Sequence, residues 1–274
     1  MTTSETYATV SGAAGKECLL QASRVRKKRL AAVYLNRDPD AFRTFLVAYD
    51  YHSAGTGHDL VVVNKGAARR RSDAEFPGVM RVLNVSDFGL ALCAFGKAVK
   101  QLGGEYALLC LLNSWSRPVA HRWLAKLAAA AEDPAVGLAG ATGSWESFAK
   151  PGQSRLKRWL FPPFPNPHVR ATSFCARAEL LERAWPRWPY GFKWMEHLHE
   201  IGRRGLSRRC EALGLRNVVV GRDGKPYHDY RAAGTYRFGD PANLLVADNQ
   251  TDRYRDADAA GRADLERRAW GGEA

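Results

Sequence analysis

The sequence predicts an α/β fold with a mostly parallel sheet flanked by helices. From residue 30 onward, short apolar runs of strand length alternate with segments of helical pattern, as parallel strands with right-handed crossovers require. The run Tyr106–Leu112 is apolar throughout, which is typical of a central strand covered on both faces. The composition, 46% hydrophobic and 25% charged, is that of a globular protein. We find no internal repeat and no linker, so residues 29–274 are predicted to form a single domain.

The elements follow from their local patterns. Strands are predicted at 30–36, 60–64, 79–85, 106–112, 136–141, 172–176 and 217–221. Helices are predicted at 41–51, 87–102, from just after Pro118 to 132, at 178–185, at 194–213, and at both ends of 239–270. Asp38 and Pro39 are typical of a helix N-terminus, and Gly103 of a helix end.

Two segments are predicted to lack regular structure. Residues 1–28 show little periodicity and end in basic residues, so they are predicted to form a basic N-terminal extension. Residues 150–168 contain five prolines, which favour a long surface loop able to close over a ligand.

Charge and cysteine content narrow the class of protein. The net charge of +13 and the pI of about 9.8 favour phosphate-rich partners, although an arginine-rich solvated surface is the alternative. The five cysteines include no CxxC pair, which argues against a disulfide framework or a zinc knuckle. No apolar stretch is long enough to span a membrane and the N-terminus lacks the order of a signal peptide, so a cytoplasmic protein is expected.

Polar residues follow four of the predicted strands. These are Asn36-Arg37, Asn64-Lys65, Asn113-Ser114 and the Thr142–Ser144 segment. Because carboxyl ends of parallel strands meet at one edge of the sheet, where open α/β sheets bind ligands, we expect these groups to lie together. Amide, hydroxyl and cationic groups suit a base, a ribose and a diphosphate. Polar residues often end strands without binding anything, but four such ends on one edge favour a ligand site.

Six segments follow one another along the chain in a fixed order and spacing: AVYLNRDPDAF, HDLVVVNKG, YALLCLLNSWSRP, VGLAGATGSWES, NPHVRATSFCARAELL and HEIGRRGLSRR. By the order and spacing of these segments, the chain resembles the nucleotide-sugar-dependent glycosyltransferases of the GT-A fold, close to the inverting family 2. The resemblance covers about residues 29–221, with a further C-terminal similarity to uncharacterised glycosyltransferase-like proteins of bacteria and phages.

The resemblance implies roles for residues at matching positions. A carboxylate on a late helix would be the general base for the acceptor hydroxyl, with Glu200 favoured over Glu196 because HEIGRRGLSRR matches the family-like pattern at Glu200. The implied donor-binding residues are Asn36, Arg37, Asn64, Lys97, Asn113, Ser114 and Trp115. The implied acceptor-binding residues are Ser144, Trp145, Glu146, His168 and Arg170.

One position departs from the family. Many relatives carry an acidic residue after the strand equivalent to Tyr106–Leu112, where it holds a divalent Mn²⁺ or Mg²⁺, and this chain has Trp115 there. Tryptophan offers no oxygen ligand, so a metal would need other ligands, for which Asp87, Asp229 and His228 are candidates. Otherwise Lys97 or Arg117 would carry the phosphate charge. Trp115 itself would either pack in the core or stack on a sugar or base.

Three functional hypotheses remain open from the sequence. The first is a cytoplasmic, inverting glycosyltransferase that uses a nucleotide-sugar donor and an acceptor that is modified DNA of a phage or a lipid-linked or cell-wall glycan. The second is a non-catalytic nucleic-acid-binding protein on a degenerate transferase scaffold. The third is a nucleotidyltransferase, which would normally require a metal held by carboxylates. The donor sugar, the acceptor and the oligomeric state do not follow from the sequence.

Overall fold

The computed structural model of the protein describes residues 28–66, 81–149, 152–186 and 192–271. The predicted basic extension, apart from residue 28, lies outside the described residues, as do 67–80, 150–151 and part of the predicted third strand. The strands are β1 (Lys28–Asn36), β2 (Asp59–Asn64), β3 (Arg81–Asn84), β4 (Tyr106–Leu112), β5 (Arg117–Pro118), β6 (Val136–Gly140), β7 (Gly143–Ser144), β8 (His168–Val169), β9 (Ser173–Arg177), β10 (Arg216–Val220), β11 (Pro226–Tyr227) and β12 (Val246–Ala247). The helices are α1 (Pro39–Tyr51), α2 (Ala91–Leu102), α3 (Trp123–Glu132), α4 (Arg155–Leu160), α5 (Ala178–Ala184), α6 (Lys193–Ile201), α7 (Leu206–Ala212), α8 (Asn249–Asp256) and α9 (Ala259–Trp270).

Eight strands form one mostly parallel sheet in the order β11-β10-β6-β9-β4-β1-β2-β3. Strands β3, β2, β1 and β4 are parallel neighbours, and β10 is parallel to β6. Strand β9 lies antiparallel between β4 and β6, and β11 is an antiparallel edge strand. The predicted α/β class and the mostly parallel sheet with flanking helices are therefore confirmed, and the layout is compatible with a Rossmann-like fold.

Helices cover both faces of the sheet, because alternate residues of its central strands are apolar on each side. In β1, Ala31, Val33 and Leu35 belong to a core formed with α2, α5 and α7. The intervening residues, among them Tyr34, belong to a second core formed with α1 and α3. Strand β4 is buried on both faces and lies between β1 and β9, as predicted for a central strand.

The predicted loop at 150–168 is wrong in part, because α4 forms within it. The five prolines of this stretch all lie outside residues 155–160, so none interrupts that helix. Ser154 caps it by accepting a hydrogen bond from the Lys157 N–H, and no residue of α4 is buried.

The single helix predicted at 194–213 is also wrong, because the chain breaks into α6 and α7. Gly202 and Gly205 lie between the two helices, and both are tightly packed. A Cβ on Gly202 would lie 2.4 Å from the Leu198 carbonyl oxygen, and one on Gly205 would lie 2.9 Å from the Glu200 carbonyl oxygen. The turn therefore needs glycine at these positions, and a local helical pattern does not reveal it.

Three other boundaries differ from the prediction. Helix α2 begins at Ala91 rather than at residue 87. Residues Arg117–Pro118 form β5, which pairs with β12, so α3 begins only at Trp123. The first part of 239–270 is not helical, since it leads into β12.

The N-terminus of α1 allows the predicted helix cap at Asp38 to be tested. Asp38 caps α1, and its side chain accepts hydrogen bonds from the N–H groups of Asp40 and Ala41. We predict that Asp38→Ala lowers the free energy of unfolding by about 1 kcal/mol in urea denaturation, because the cap is lost. Asp50→Ala, at an exposed position in the last turn of the same helix, is the control and should cost nothing. An equal loss in both variants would contradict the capping role.

Candidate active site at the carboxyl edge of the sheet

The strand order reverses between β1 and β4. From β1 the chain proceeds through β2 to β3 on one side, and it then returns to place β4 on the other side of β1. In open α/β sheets a ligand crevice forms outside the carboxyl ends of the strands at such a reversal. Asn36 ends β1 and Asn113 follows β4, so both lie at this point.

Two buried asparagines form a pair at the ends of β1 and β2. The Asn36 Nδ2 donates to the Asn64 Oδ1 at 3.0 Å, and both residues are almost fully buried. The Asn36 Oδ1 and the Asn64 Nδ2 have no hydrogen-bond partner among the described residues. An acceptor and a donor are therefore left beside each other, and a base edge or a ribose carries groups complementary to both.

The β2–β3 side of the edge carries cations. The Lys65 ammonium donates to the carbonyl oxygens of Ser86 at 2.9 Å and Phe88 at 3.1 Å, and burial lowers the pKa of Lys65. Lys97 donates to the Ser86 hydroxyl, so it lies toward β3 rather than beside Asn113. Arg37 is half-buried and forms no hydrogen bond or ion pair within the described parts of the chain.

A tight turn follows β4. The Asn113 Oδ1 accepts a hydrogen bond from the Trp115 N–H at 3.0 Å and lies 3.0 Å from the Ser116 hydroxyl. Trp115 is 41% exposed, so it does not pack in the core. Ser114 is buried, and its hydroxyl has no partner among the described residues.

This turn does not fit a divalent cation. Mg²⁺ and Mn²⁺ prefer carboxylate oxygens, and the turn offers only an amide oxygen already bound to the Trp115 N–H, together with neutral hydroxyls. Of the other candidate ligands, Asp87 accepts from the Gly66 N–H at 2.7 Å and Asp229 from the Arg231 N–H at 3.1 Å, and His228 is exposed next to Asp229. In the described ranges, no three His, Cys, Asp or Glu side chains are grouped as metal ligands.

The segment leading into β9 brings a carboxylate to the edge. Within this segment the Arg170 N–H donates to the Thr142 carbonyl oxygen at 3.0 Å, and the Thr172 carbonyl oxygen accepts from the Asn113 N–H at 2.8 Å. The Ala171 N–H donates to the Glu200 Oε1 at 3.0 Å. Glu200 therefore lies beside the carboxyl ends of β4 and β6.

Glu200 is ionised at neutral pH. Burial acts to raise the pKa of its carboxyl group, but the charge of Arg170, the neighbouring His168 and the Ala171 N–H outweigh burial and hold the pKa below its usual value. Its Oε2 accepts no hydrogen bond within the described residues, so one carboxylate oxygen is free to accept a proton.

Glu196, one turn earlier in α6, forms a different contact. Its Oε1 accepts a hydrogen bond from the Leu92 N–H at 2.7 Å, so it caps the N-terminus of α2. Burial raises the pKa of Glu196, and the Leu92 N–H and the charges of Arg37 and Lys65 oppose this shift only in part. The two glutamates predicted as alternative bases therefore lie in distinct environments.

The predicted acceptor residues divide into two groups. Ser144 and Trp145 hold the C-terminal helix, since the Ser144 hydroxyl donates to the Ala269 carbonyl oxygen at 3.2 Å and the Trp145 ring lies 5.6 Å from the Trp270 ring. Glu146 instead lies 3.8 Å from the guanidinium of Arg170, a residue that strongly influences Glu200.

His168 is a buried neutral imidazole. Its Nδ1 lies 2.8 Å from the Asn166 carbonyl oxygen, and its Nε2 has no partner among the described residues. Burial lowers its pKa to about 4, although the charge of Glu200 acts in the opposite direction.

Four further residues at this edge were not predicted from the sequence: Tyr236, Arg237, Asp248 and Gln250. Strand β12 pairs with β5, which places Asp248 beside Ser116. Arg237 is buried and donates to the Gln250 side chain. The pattern Asp248-x-x-Thr251 is a recognisable helix cap in the sequence, but nothing local indicates that it lies near β4.

Comparison with models of protein families and with curated proteins finds no match to this chain. Among the described residues, no helix has the length and apolar character needed to cross a membrane.

His168 makes the stability of the protein depend on pH. Unfolded histidine has a pKa of 6.5 and folded His168 one of about 4, so the unfolded state binds the proton first as the pH falls. We predict that this residue lowers the free energy of unfolding by up to about 1.4 kcal/mol per pH unit between those two values.

Urea denaturation of the wild type and of His168→Asn at a series of pH values measures this contribution. The variant should show a shallower fall in the free energy of unfolding between pH 6.5 and 5. His228→Asn, at an exposed position, is the control and should keep the wild-type slope. An unchanged slope in His168→Asn would show that His168 takes up its proton equally in both states.

Proposed function

We propose that the protein is a GT-A-like glycosyltransferase that transfers a sugar from a nucleotide-sugar donor to an acceptor hydroxyl with inversion. One observation carries the proposal: the Glu200 carboxylate, with one oxygen free, lies beside the carboxyl ends of β4 and β6, and β4 borders the point where the strand order reverses. The resemblance of the sequence to family 2 of these enzymes assigns the general base to the same residue. The placement and the resemblance are independent, because the first depends on long-range hydrogen bonds and the second on motif order.

The donor would bind across the ends of β1, β2 and β4. The free amide atoms of Asn36 and Asn64 suit the polar edge of a base or ribose, and Arg37 lies next to them with an uncommitted charge. Trp115 presents an exposed indole on the other side of the crevice, where it would stack on a sugar or base. With these contacts, the anomeric carbon of the donor sugar would lie on the side of the crevice that carries Glu200.

The reaction would be a single displacement. The Glu200 carboxylate takes the proton of the acceptor hydroxyl as its oxygen forms a bond to the anomeric carbon. The bond from that carbon to the diphosphate breaks at the same time, and the nucleoside diphosphate leaves with the electron pair. The pKa of Glu200 lies below its usual value, so the carboxylate is ready as a base at neutral pH.

A second candidate function is the binding of nucleic acid without catalysis. The exposed face of α4 favours it, because Trp159 is 71% exposed among the basic residues Arg155, Lys157 and Arg158. Aromatic stacking combined with cations binds single-stranded nucleic acid without sequence preference. The same surface would also suit a transferase whose acceptor is modified DNA, or one whose acceptor is a phosphate-rich glycan or lipid.

The decisive variant is Glu200→Gln. The amide oxygen of glutamine still accepts the Ala171 N–H, so the fold and the nucleotide affinity should persist while the base is lost. We predict a fall in turnover of about 10²–10⁴-fold, measured as nucleoside diphosphate release from a nucleotide sugar.

Two controls accompany this variant. Glu196→Ala should lower the melting temperature, because the Leu92 N–H at the start of α2 loses its acceptor, and it should keep most of the turnover. Glu179→Gln, at an exposed position on α5, should change neither quantity. Wild-type turnover in Glu200→Gln would remove Glu200 from the mechanism.

The donor class is identified by measuring the melting temperature of the protein with each of a panel of nucleoside diphosphates and nucleotide sugars. We expect one nucleotide to raise the melting temperature. If no nucleotide has an effect, the transferase proposal fails.

The second function is tested by measuring the affinity for single-stranded DNA against salt concentration. A steep salt dependence, an affinity that Trp159→Ala lowers, and no turnover of any nucleotide sugar would together favour the binding protein over the enzyme. Leu156→Ala, also exposed on α4, is the matched control.

A further inference from the structure

Two arginines at the sheet edge share one aromatic ring. The guanidinium carbon of Arg170 lies 4.9 Å from the centroid of the Tyr236 ring, and that of Arg237 lies 4.8 Å from it. Arg237 is only 5% exposed. The Nε–H groups of both arginines and the Tyr236 hydroxyl are buried without a hydrogen-bond partner among the described residues. Several strong donors are thus held together with no acceptor of their own.

This arrangement is costly for the folded protein. Burial lowers the pKa of Arg237, and the neighbouring charge of Arg170 lowers it further. Arg237 also has a backbone φ of 42°, in the left-handed region that residues other than glycine rarely adopt. Costs of this kind are commonly retained where a ligand makes use of the strained group.

Burial acts to lower the pKa of Arg170, but Tyr236, Glu200, Asp248 and Glu146 outweigh it and raise that pKa, whereas the pKa of Arg237 is lowered. The carboxylates nearby therefore balance the charge of Arg237 only in part. Glu146 lies 3.8 Å from Arg170, which is beyond hydrogen-bond distance. The Asp248 Oδ1 caps α8, where it accepts the N–H groups of Gln250 and Thr251 at 2.9 Å each, and the Asp248 Oδ2 is buried without a hydrogen-bond partner among the described residues. Arg237 itself donates to the neutral amide of Gln250. An anion with several oxygens would satisfy the donors that these contacts leave free.

The pair lies beside the turn that follows β4. The Arg170 N–H is bound at the end of β6, and the β5–β12 pairing places Asp248, a close neighbour of both arginines, next to Ser116. The buried hydroxyls of Ser114 and Thr142 at the same edge also have no partner in the described parts of the chain. In contrast, the forked guanidinium of Arg117 is already bound to Asp252, with one contact at 2.8 Å.

We propose that Arg170 and Arg237 bind the diphosphate of the donor and stabilise the charge that it gains as the leaving group. They would take the part that a divalent cation plays elsewhere, because the oxygen donors after β4 do not fit a metal. Preorganised cations in a water-poor site stabilise developing negative charge strongly, and the forked guanidinium matches phosphate oxygens. This inference rests on the proposed function and specifies its leaving-group chemistry.

The test is calorimetric titration with inorganic pyrophosphate in the presence of EDTA. The wild-type protein should bind it, and Arg237→Met and Arg170→Met should each bind at least tenfold more weakly. Arg262→Met is the matched control, since Arg262 lies over another tyrosine ring, that of Tyr254, at 5.9 Å. It should keep the wild-type affinity.

Thermal melting separates loss of the site from loss of the fold. If a methionine variant does not fold, the corresponding lysine variant keeps the charge but lacks the guanidinium fork, and it should also weaken binding. Pyrophosphate binding that requires Mn²⁺, or binding unchanged in the variants of both arginines, would overturn the inference.

The inference and the proposed function fail in different ways. If pyrophosphate binds through the two arginines but no nucleotide sugar binds or turns over, the arginine site stands and the transferase does not. If nucleotide sugars turn over with full activity in both arginine variants, the transferase stands and the arginine site does not.

Discussion

The antiparallel strand β9 is held by hydrogen bonds between two parallel strands, and the candidate site depends on this placement. Because β9 runs opposite to β4 and β6, its first residue lies at their carboxyl ends. The residues that precede it therefore cross the edge where the other strands end. The Asn113 N–H and the Ala141 N–H are bound to the carbonyl oxygens of Thr172 and Ser173, which fixes the segment on both sides. A parallel strand in this position would have carried the same residues to the opposite edge of the sheet.

Glu196 and Glu200 show how position alone gives two like residues different chemistry. They are one helical turn apart on α6 and carry the same carboxyl group. Glu196 meets the first turn of α2, where burial dominates and its pKa rises. Glu200 meets Arg170 and the Ala171 N–H, and its pKa falls although it is also buried. The neighbouring elements, and not the helix itself, therefore decide that the pKa of Glu196 is raised and that of Glu200 is lowered.

The C-terminal segment completes the edge and accounts for the strain at Arg237. The Trp270 indole N–H lies 2.9 Å from the Tyr236 carbonyl oxygen and 3.0 Å from that of Arg237, so α9 holds the loop that carries both residues. Ser144 and Trp145 in turn hold α9 through the Ala269 carbonyl oxygen. Ser144 and Trp145, two of the five residues predicted to bind the acceptor, therefore help to position the loop that carries Arg237. The C-terminal segment is therefore packed against the sheet edge and forms part of the candidate site.

The sequence by itself determined seven strands of the main sheet, most of the helices, the cap at Asp38 and the polar strand ends, because periodicity and capping are local properties of a chain segment. It also indicated Glu200, through resemblance. It did not reveal the five two-residue strands β5, β7, β8, β11 and β12. Only the tertiary structure decided that β9 is antiparallel, that the chain breaks at Gly202, and that Arg237 lies beside Arg170, 67 positions away. These features depend on pairing between distant segments, such as β5 with β12, and on burial that no local pattern encodes. The main helices and strands could thus be predicted from the sequence. The side-chain interactions at the carboxyl edge of the sheet could not, because they depend on which helices and strands contact each other.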